Sequence, residues 1–131
     1  MPKRILIVED EVSVRNAVRI FLENRSPYEV CGEASNGAEA IDKAASLHPD
    51  LIILDLSMPH MNGIEAASLL RSKLPNAPLI VYTMFGDVLG QQLATALGVS
   101  AIVSKSDGLV ALLAHIEGLL ASPVLAQPPG N

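Results

Sequence analysis

Four apolar runs in this sequence end in side chains that can do chemistry. Glu9 and Asp10 close "RILIVED", Asp55 follows "LIIL", Thr83 ends "PLIVYT", and Ser104 with Lys105 ends "SAIVSK". Asp55 is the least expected of them. A carboxylate after a strand usually caps the next helix, but that helix has its own cap in Asn62, with Glu65 three residues on in the N-x-x-E pattern of a capping box. If the strands that end at Asp10 and Asp55 are neighbours, three carboxylates converge. Like charges a few ångströms apart repel and raise one another's pKa unless a cation neutralises them. Mg²⁺ suits such a place, because it prefers octahedral oxygen ligands, keeps several waters, and is satisfied by two or three carboxylates and a backbone carbonyl. Lys105 and Thr83 then remain, a point charge and a hydroxyl donor, to bind the other oxygens of a phosphoryl group. Asp55 becomes the candidate nucleophile of an in-line phosphoryl transfer. Taken singly the residues have plainer roles: Asp10 as a helix cap, Thr83 as partner to a loop amide, Lys105 as a solvated surface cation.

The elements that must position these groups alternate along the chain. Strands are expected at 4–9, 28–35, 51–54, 78–83 and 100–104. Between the first two, Val14, Ala17, Val18, Phe21 and Leu22 follow the spacing of one buried helix face, with Ser13, Arg15, Asn16 and Arg19 on the other side. Further helices are expected near 37–47, with Ala38, Ile41 and Ala45 inward, near 63–73, near 87–97 ending at Gly98, and near 107–121. Strands that alternate with helices imply a doubly wound α/β fold, a five-stranded parallel sheet covered by helices on both faces in three layers. Continuous apolar runs make strands 1, 3 and 4 central. In such a sheet ligands gather outside the carboxyl ends of the strands, where the candidate residues lie.

Composition narrows the classes. The 131 residues suit one domain, with 1–121 as the folded unit and the Pro-rich 122–131 as a disordered tail or the start of a linker. The formal charge is −5 and there is no Lys/Arg cluster, which argues against direct nucleic-acid binding. Neither a secretory segment nor a membrane span is expected, since only four apolar residues follow the two basic ones in "MPKRILIVEDE" and His115, Glu117 and Pro123 interrupt the longest apolar stretch, so the cytoplasm is expected. Cys31, the single cysteine, reads as a small buried hydrophobe. His48, His60 and His115 are scattered and read as surface or loop residues.

Over residues 3 to about 121 the sequence resembles the receiver domain of bacterial two-component response regulators. The likeness rests on "ED" at 9 and 10, "DLSMPHMNGIEA" from 55, "YT" ending strand 4 and "SK" ending strand 5. The second run is most similar to receivers joined to a helix-turn-helix output domain. The resemblance implies a flavodoxin-like fold with strand order 2-1-3-4-5 and a sensor histidine kinase as phosphoryl donor to Asp55. It also implies that Asp10, Asp55 and the Ser57 carbonyl bind Mg²⁺, with Glu9 acting through water, and that Thr83 and Lys105 hold the phosphoryl group. The expected readout surface is the fourth helix, the fifth strand and the fifth helix, acting on an output domain that controls transcription, with a homodimer as one possible form.

Three departures modify what carries over. The position where many receivers have a switching aromatic is Ile102. Lys105 is followed by Ser106 rather than a cis-proline, so a trans bond is expected, a non-proline cis bond costing about 2.5–4 kcal/mol. The two positions that tune dephosphorylation are Ser57 and Phe85, neither suited to orienting an attacking water, which implies slow phosphate loss.

Rival readings are weaker. A Mg²⁺-dependent phosphatase of the haloacid dehalogenase type wants a second acid at position 57, which is serine. A flavodoxin-like cofactor carrier would offer hydroxyls and amides after strand 1, where this chain has "EDEVS". A phosphorylation-independent interaction module would not need the intact acid, Thr and Lys set. The expected role is therefore signalling, the only catalysis being the domain's own phosphoryl transfer and dephosphorylation.

Overall fold

A computed structural model describes residues 2–56, 63–84, 95–96 and 98–121. Five parallel strands, β1 (Arg4–Val8), β2 (Glu29–Ala34), β3 (Leu51–Leu54), β4 (Leu79–Thr83) and β5 (Ala101–Ser104), form one sheet in the order β2-β1-β3-β4-β5. The helices described are α1 (Val12–Arg25), α2 (Gly37–Leu47), α3 (Gly63–Lys73) and α4 (Gly108–Leu120), preceded by a 3-10 turn at Lys105–Asp107. The helix expected near 87–97 and the tail 122–131 fall mostly or wholly outside the described residues.

The sheet is interior on both faces because its central strands are apolar except at their ends, Arg4 in β1 and Thr83 in β4. Leu6, Val8, Ile52, Leu54, Leu79 and Val81 point one way and pack on Ala40 and Ala44 of α2 and Ala67 and Leu70 of α3. Ile5, Ile7, Leu51, Ile53, Ile80, Tyr82 and Val103 point the other way, onto Val18 and Leu22 of α1 and Leu112 and Ile116 of α4. Strand alternation thus sorts the apolar residues into two cores, giving the three layers expected. β1, β3 and β4 are central as their runs imply. β1 and β2 pair with one irregularity between Ile5 and Leu6, where Cys31 is passed over.

Local signals end the helices where they should. The Asn36 side chain accepts the Glu39 amide at 2.8 Å, and the Glu39 carboxylate accepts the Ser35 amide at 2.7 Å and its hydroxyl at 3.0 Å. His48 closes α2 in the left-handed region at φ 49°, and Gly98 has φ 72° as expected for a C-cap.

Three buried-face expectations need correction. Ala17, Ala38 and Ala45 are exposed, and α2 buries Gly37, Ala40 and Ala44 instead. In a helix with an alanine at four of eleven positions, hydrophobicity barely distinguishes one stripe from its neighbour. Cys31 is half-buried rather than buried, because β2 is an edge strand covered less completely than the centre.

Candidate functional site

The carboxyl ends of β1, β3 and β5 deliver their groups to one place. β1 and β3 are adjacent, and the Asp55 amide donates to the Val8 carbonyl at 3.1 Å, so the two strands end level with each other. Glu9, Asp10 and Asp55 each present an oxygen, and the three atoms lie within 4.8 Å of one another. Glu9 and Asp55 are buried at 3% and 4% exposure, and Asp10 is half-buried. From β5, Lys105 reaches across: its Nζ is 2.8 Å from Glu9 Oε1 and 3.4 Å from Asp55 Oδ2. The other Glu9 oxygen, Oε2, accepts the Glu11 amide at 3.2 Å.

Three carboxylates against one ammonium leave a formal charge of minus two when all are ionised. Burial pushes the Glu9 carboxyl above its usual pKa, and the charge of Asp55 adds to that push, against the opposing hydrogen bond from Lys105. Burial alone would lower the Lys105 ammonium, but its hydrogen bond to Glu9 and the charges of both carboxylates outweigh it and raise the pKa. An all-oxygen, partly buried donor set with this charge fits a hard divalent cation that keeps part of its water shell. The acidic pocket can therefore hold a metal.

Two of the plainer roles do not survive. The N-cap residue of α1 is Glu11, with no side-chain cap hydrogen bond, so Asp10 is not the cap. Lys105 is 12% exposed and doubly ion-paired, so it is not a solvated cation. Thr83, fully buried, pairs in register with Ser104 at the ends of β4 and β5. Ile102 is half-buried and packs on the core below the site. No cis peptide occurs among the described residues, so the bond after Lys105 is trans as expected. Ser57, Phe85 and Asn62 lie outside the described residues.

One participant was not legible. Arg15 of α1, which reads from its position as a residue of the polar face, donates from Nη1 to the Glu9 carbonyl at 2.8 Å and from Nε to Glu33 Oε1 at 3.0 Å. Its partner Glu33 is eighteen residues away on β2, and no spacing rule joins the two.

The whole chain has known relatives. Residues 5–117 match the family model described as response regulator receiver domain. The chain is 42% identical over 86 residues to the chemotaxis protein CheY of Thermotoga maritima, covering 66% of this chain and 71% of that protein. It is 31% identical over 125 residues to the transcriptional regulatory protein YdfI of Bacillus subtilis, covering 95% of this chain and 58% of the relative. The chain thus spans little more than half the length of that relative. Among solved structures, a LuxR-family two-component response regulator from Aurantimonas superposes with a TM-score of 0.83 at 32% identity, over 92% of this chain and 86% of that one. The response regulator TrrA from Thermotoga maritima, in complex with Mg²⁺ and BeF, superposes with a TM-score of 0.79 at 34% identity, over 90% of this chain and 99% of that one. With strand order, acidic pocket and sequence in agreement, the chain belongs to the receiver domain family of two-component response regulators.

Proposed function

We propose that this receiver takes a phosphoryl group from a sensor histidine kinase onto Asp55 and relays the change to an output domain that controls transcription. Mg²⁺ would be held by Asp10, Asp55 and the Ser57 carbonyl, with Glu9 acting through water. When bound, the ion supplies charge neutralisation at the phosphoryl oxygens. Asp55 attacks phosphorus in line, so an acyl-phosphate P–O bond forms as the P–N bond to the donor imidazole breaks. Lys105, already within reach of Asp55, binds one phosphoryl oxygen, and Thr83 takes another through its hydroxyl. The TrrA complex with Mg²⁺ and BeF supports the same ligand chemistry here.

Beside Lys105 a groove lined by Val14, Ala17, Val18, Tyr82, Met84 and Leu109 offers an apolar seat for the donor protein. Phosphorylation adds roughly −1.5 to −2 charge at Asp55, enough to draw Thr83 inward and to alter the surface formed by segment 87–97, β5 and α4. Ile102 takes the place of a switching aromatic, so coupling to that surface runs through Thr83. Residues 1–121 form the receiver, with 122–131 as a tail or the start of a linker. The domain works in the cytoplasm, turns over no external substrate, makes no direct nucleic-acid contact, and can dimerise. No helix among the described residues is long and apolar enough to cross a membrane.

The observation that carries this reading is the bridge from Lys105 to both Glu9 and Asp55 inside a three-carboxylate pocket. The test is intact mass after incubation with Mg²⁺ and a small acyl or amido phosphodonor. One phosphoryl group should appear on Asp55, and should be absent with chelator and in Asp55→Asn. No gain in the wild type with Mg²⁺ would refute the proposal.

A further inference from the structure

Arg15 ties the acidic loop to the edge of the sheet. Its Nη1 bonds the Glu9 carbonyl and its Nε bonds one oxygen of Glu33. Arg19, one turn further along α1, brings its Nε to 3.0 Å from the other oxygen of Glu33. Lys43 of α2 donates to the Glu33 backbone carbonyl, so Glu33 is itself held from both faces of the sheet. The Arg15 side chain is only 17% exposed, which sets this network apart from a solvated surface pair.

A guanidinium is a rigid planar fork, so seating Nε on Glu33 determines where Nη1 points. It points at the peptide between Glu9 and Asp10, whose orientation sets the direction of two of the three pocket carboxylates. A positive charge so close to a cation site is electrostatically unfavourable, and a bond to the backbone gives it a reason to be there.

We infer that Arg15 is a positioning residue for metal binding: through the Glu9 carbonyl, and steadied by Glu33, it holds Glu9 and Asp10 in the orientation that receives Mg²⁺. The inference rests on the Mg²⁺ reading above. Its two effects on a metal have opposite signs. The charge of Arg15 repels Mg²⁺, whereas its hydrogen bond orders the ligands. Removing Arg15 therefore tightens binding if charge alone matters and weakens it if positioning matters.

The test is Mg²⁺ titration of the full chain, followed through the amide NMR shifts of Glu9, Asp10 and Asp55, for wild type, Arg15→Gln and Arg15→Lys. Both variants should bind Mg²⁺ at least about tenfold more weakly than wild type, the usual consequence of losing a group that orients metal ligands. Lysine shares the loss because it keeps the charge but cannot span both partners. Unchanged or tighter binding in Arg15→Gln overturns the inference, as does wild-type affinity in Arg15→Lys or a lowered melting temperature with affinity intact. If Arg15→Gln does not fold, Arg15→Lys decides alone. Failure of the wild type to bind Mg²⁺ is a distinct result that overturns the metal reading itself, and this inference with it.

Discussion

Lys105 Nζ stands 2.8 Å from Glu9 Oε1, nearer than the 3.4 Å that separates it from Asp55 Oδ2. The lysine is thus the main counter-charge to a carboxylate that is 3% exposed. Lys105→Met leaves Glu9 buried without that partner, a change that typically costs about 3–5 kcal/mol. Because the Glu9 pKa is raised by burial and by Asp55, its contribution to stability is present below its unfolded value and lost as pH rises through the folded one. The variant's deficit, measured by urea unfolding with chelator present, should be large near pH 8 and shrink as acidification protonates Glu9. A deficit independent of pH would contradict this account.

Gly63 opens α3 against the backbone of Leu56, the residue after Asp55. A Cβ at Gly63 would lie 2.4 Å from both the Cα and the carbonyl oxygen of Leu56, so Gly63→Ala must push the two backbones apart. We expect a loss of about 1–3 kcal/mol, as for other overpacked sites, together with reduced phosphorylation of Asp55. Gly118 in α4 is the control. Its added Cβ meets nothing within 4 Å, so Gly118→Ala should stabilise by roughly 0.5–1 kcal/mol through helix propensity. Thermal melts of the two variants should move in opposite directions.

The start of α2 carries a pH dependence of its own. Hydrogen bonds from the Ser35 amide and hydroxyl hold the Glu39 carboxyl below its usual pKa. Its contribution is therefore present above the unfolded value near 4.5 and lost as pH falls through the folded one. Asn36→Ala should cost about 1 kcal/mol at neutral pH by removing the cap. Glu39→Gln should flatten the acid limb of the stability profile, which circular dichroism melts between neutrality and pH 3 would reveal.

Phosphate loss from the receiver should be slow. Neither Ser57 nor Phe85 offers a carboxylate or amide to orient a water, and an aromatic ring two residues after Thr83 favours exclusion of solvent from the acyl phosphate. Phe85→Asn should shorten the lifetime of the phosphorylated protein, followed by intact mass after donor removal. A wild-type half-life of seconds would count against the idea.

How much was legible depends on the kind of residue. The central places of β1, β3 and β4 could be read because a strand buried on both faces must be apolar along a continuous run, and "LIIL" has no other comfortable home. The pocket could be read because Asp55, Glu9, Asp10 and Lys105 stand at strand ends, where backbone topology alone brings them together. The inward face of α2 could not, since Ala38 and Ala40 are chemically identical and only the packing against Leu6 and Leu54 chooses between them. Arg15 was hidden for the opposite reason. A charged residue on the polar side of a helix looks solvated until the tertiary fold supplies Glu33 and the Glu9 carbonyl.

The irregular step in the pairing of β1 with β2 has an outcome far larger than its size. Val30 matches Ile5, but Gly32 rather than Cys31 matches Leu6, and Glu33 then matches Ile7, on the side of the sheet covered by α1 and α4. Had the ladder run on evenly, every later residue of β2 would be turned over, and Glu33 would point toward α2, out of reach of both arginines. The single supernumerary residue at Cys31 therefore acts as a parity switch: pairing that absorbed it into the ladder would send an acid into the wrong hydrophobic layer and unmoor, from across the sheet, the loop that carries Glu9 and Asp10.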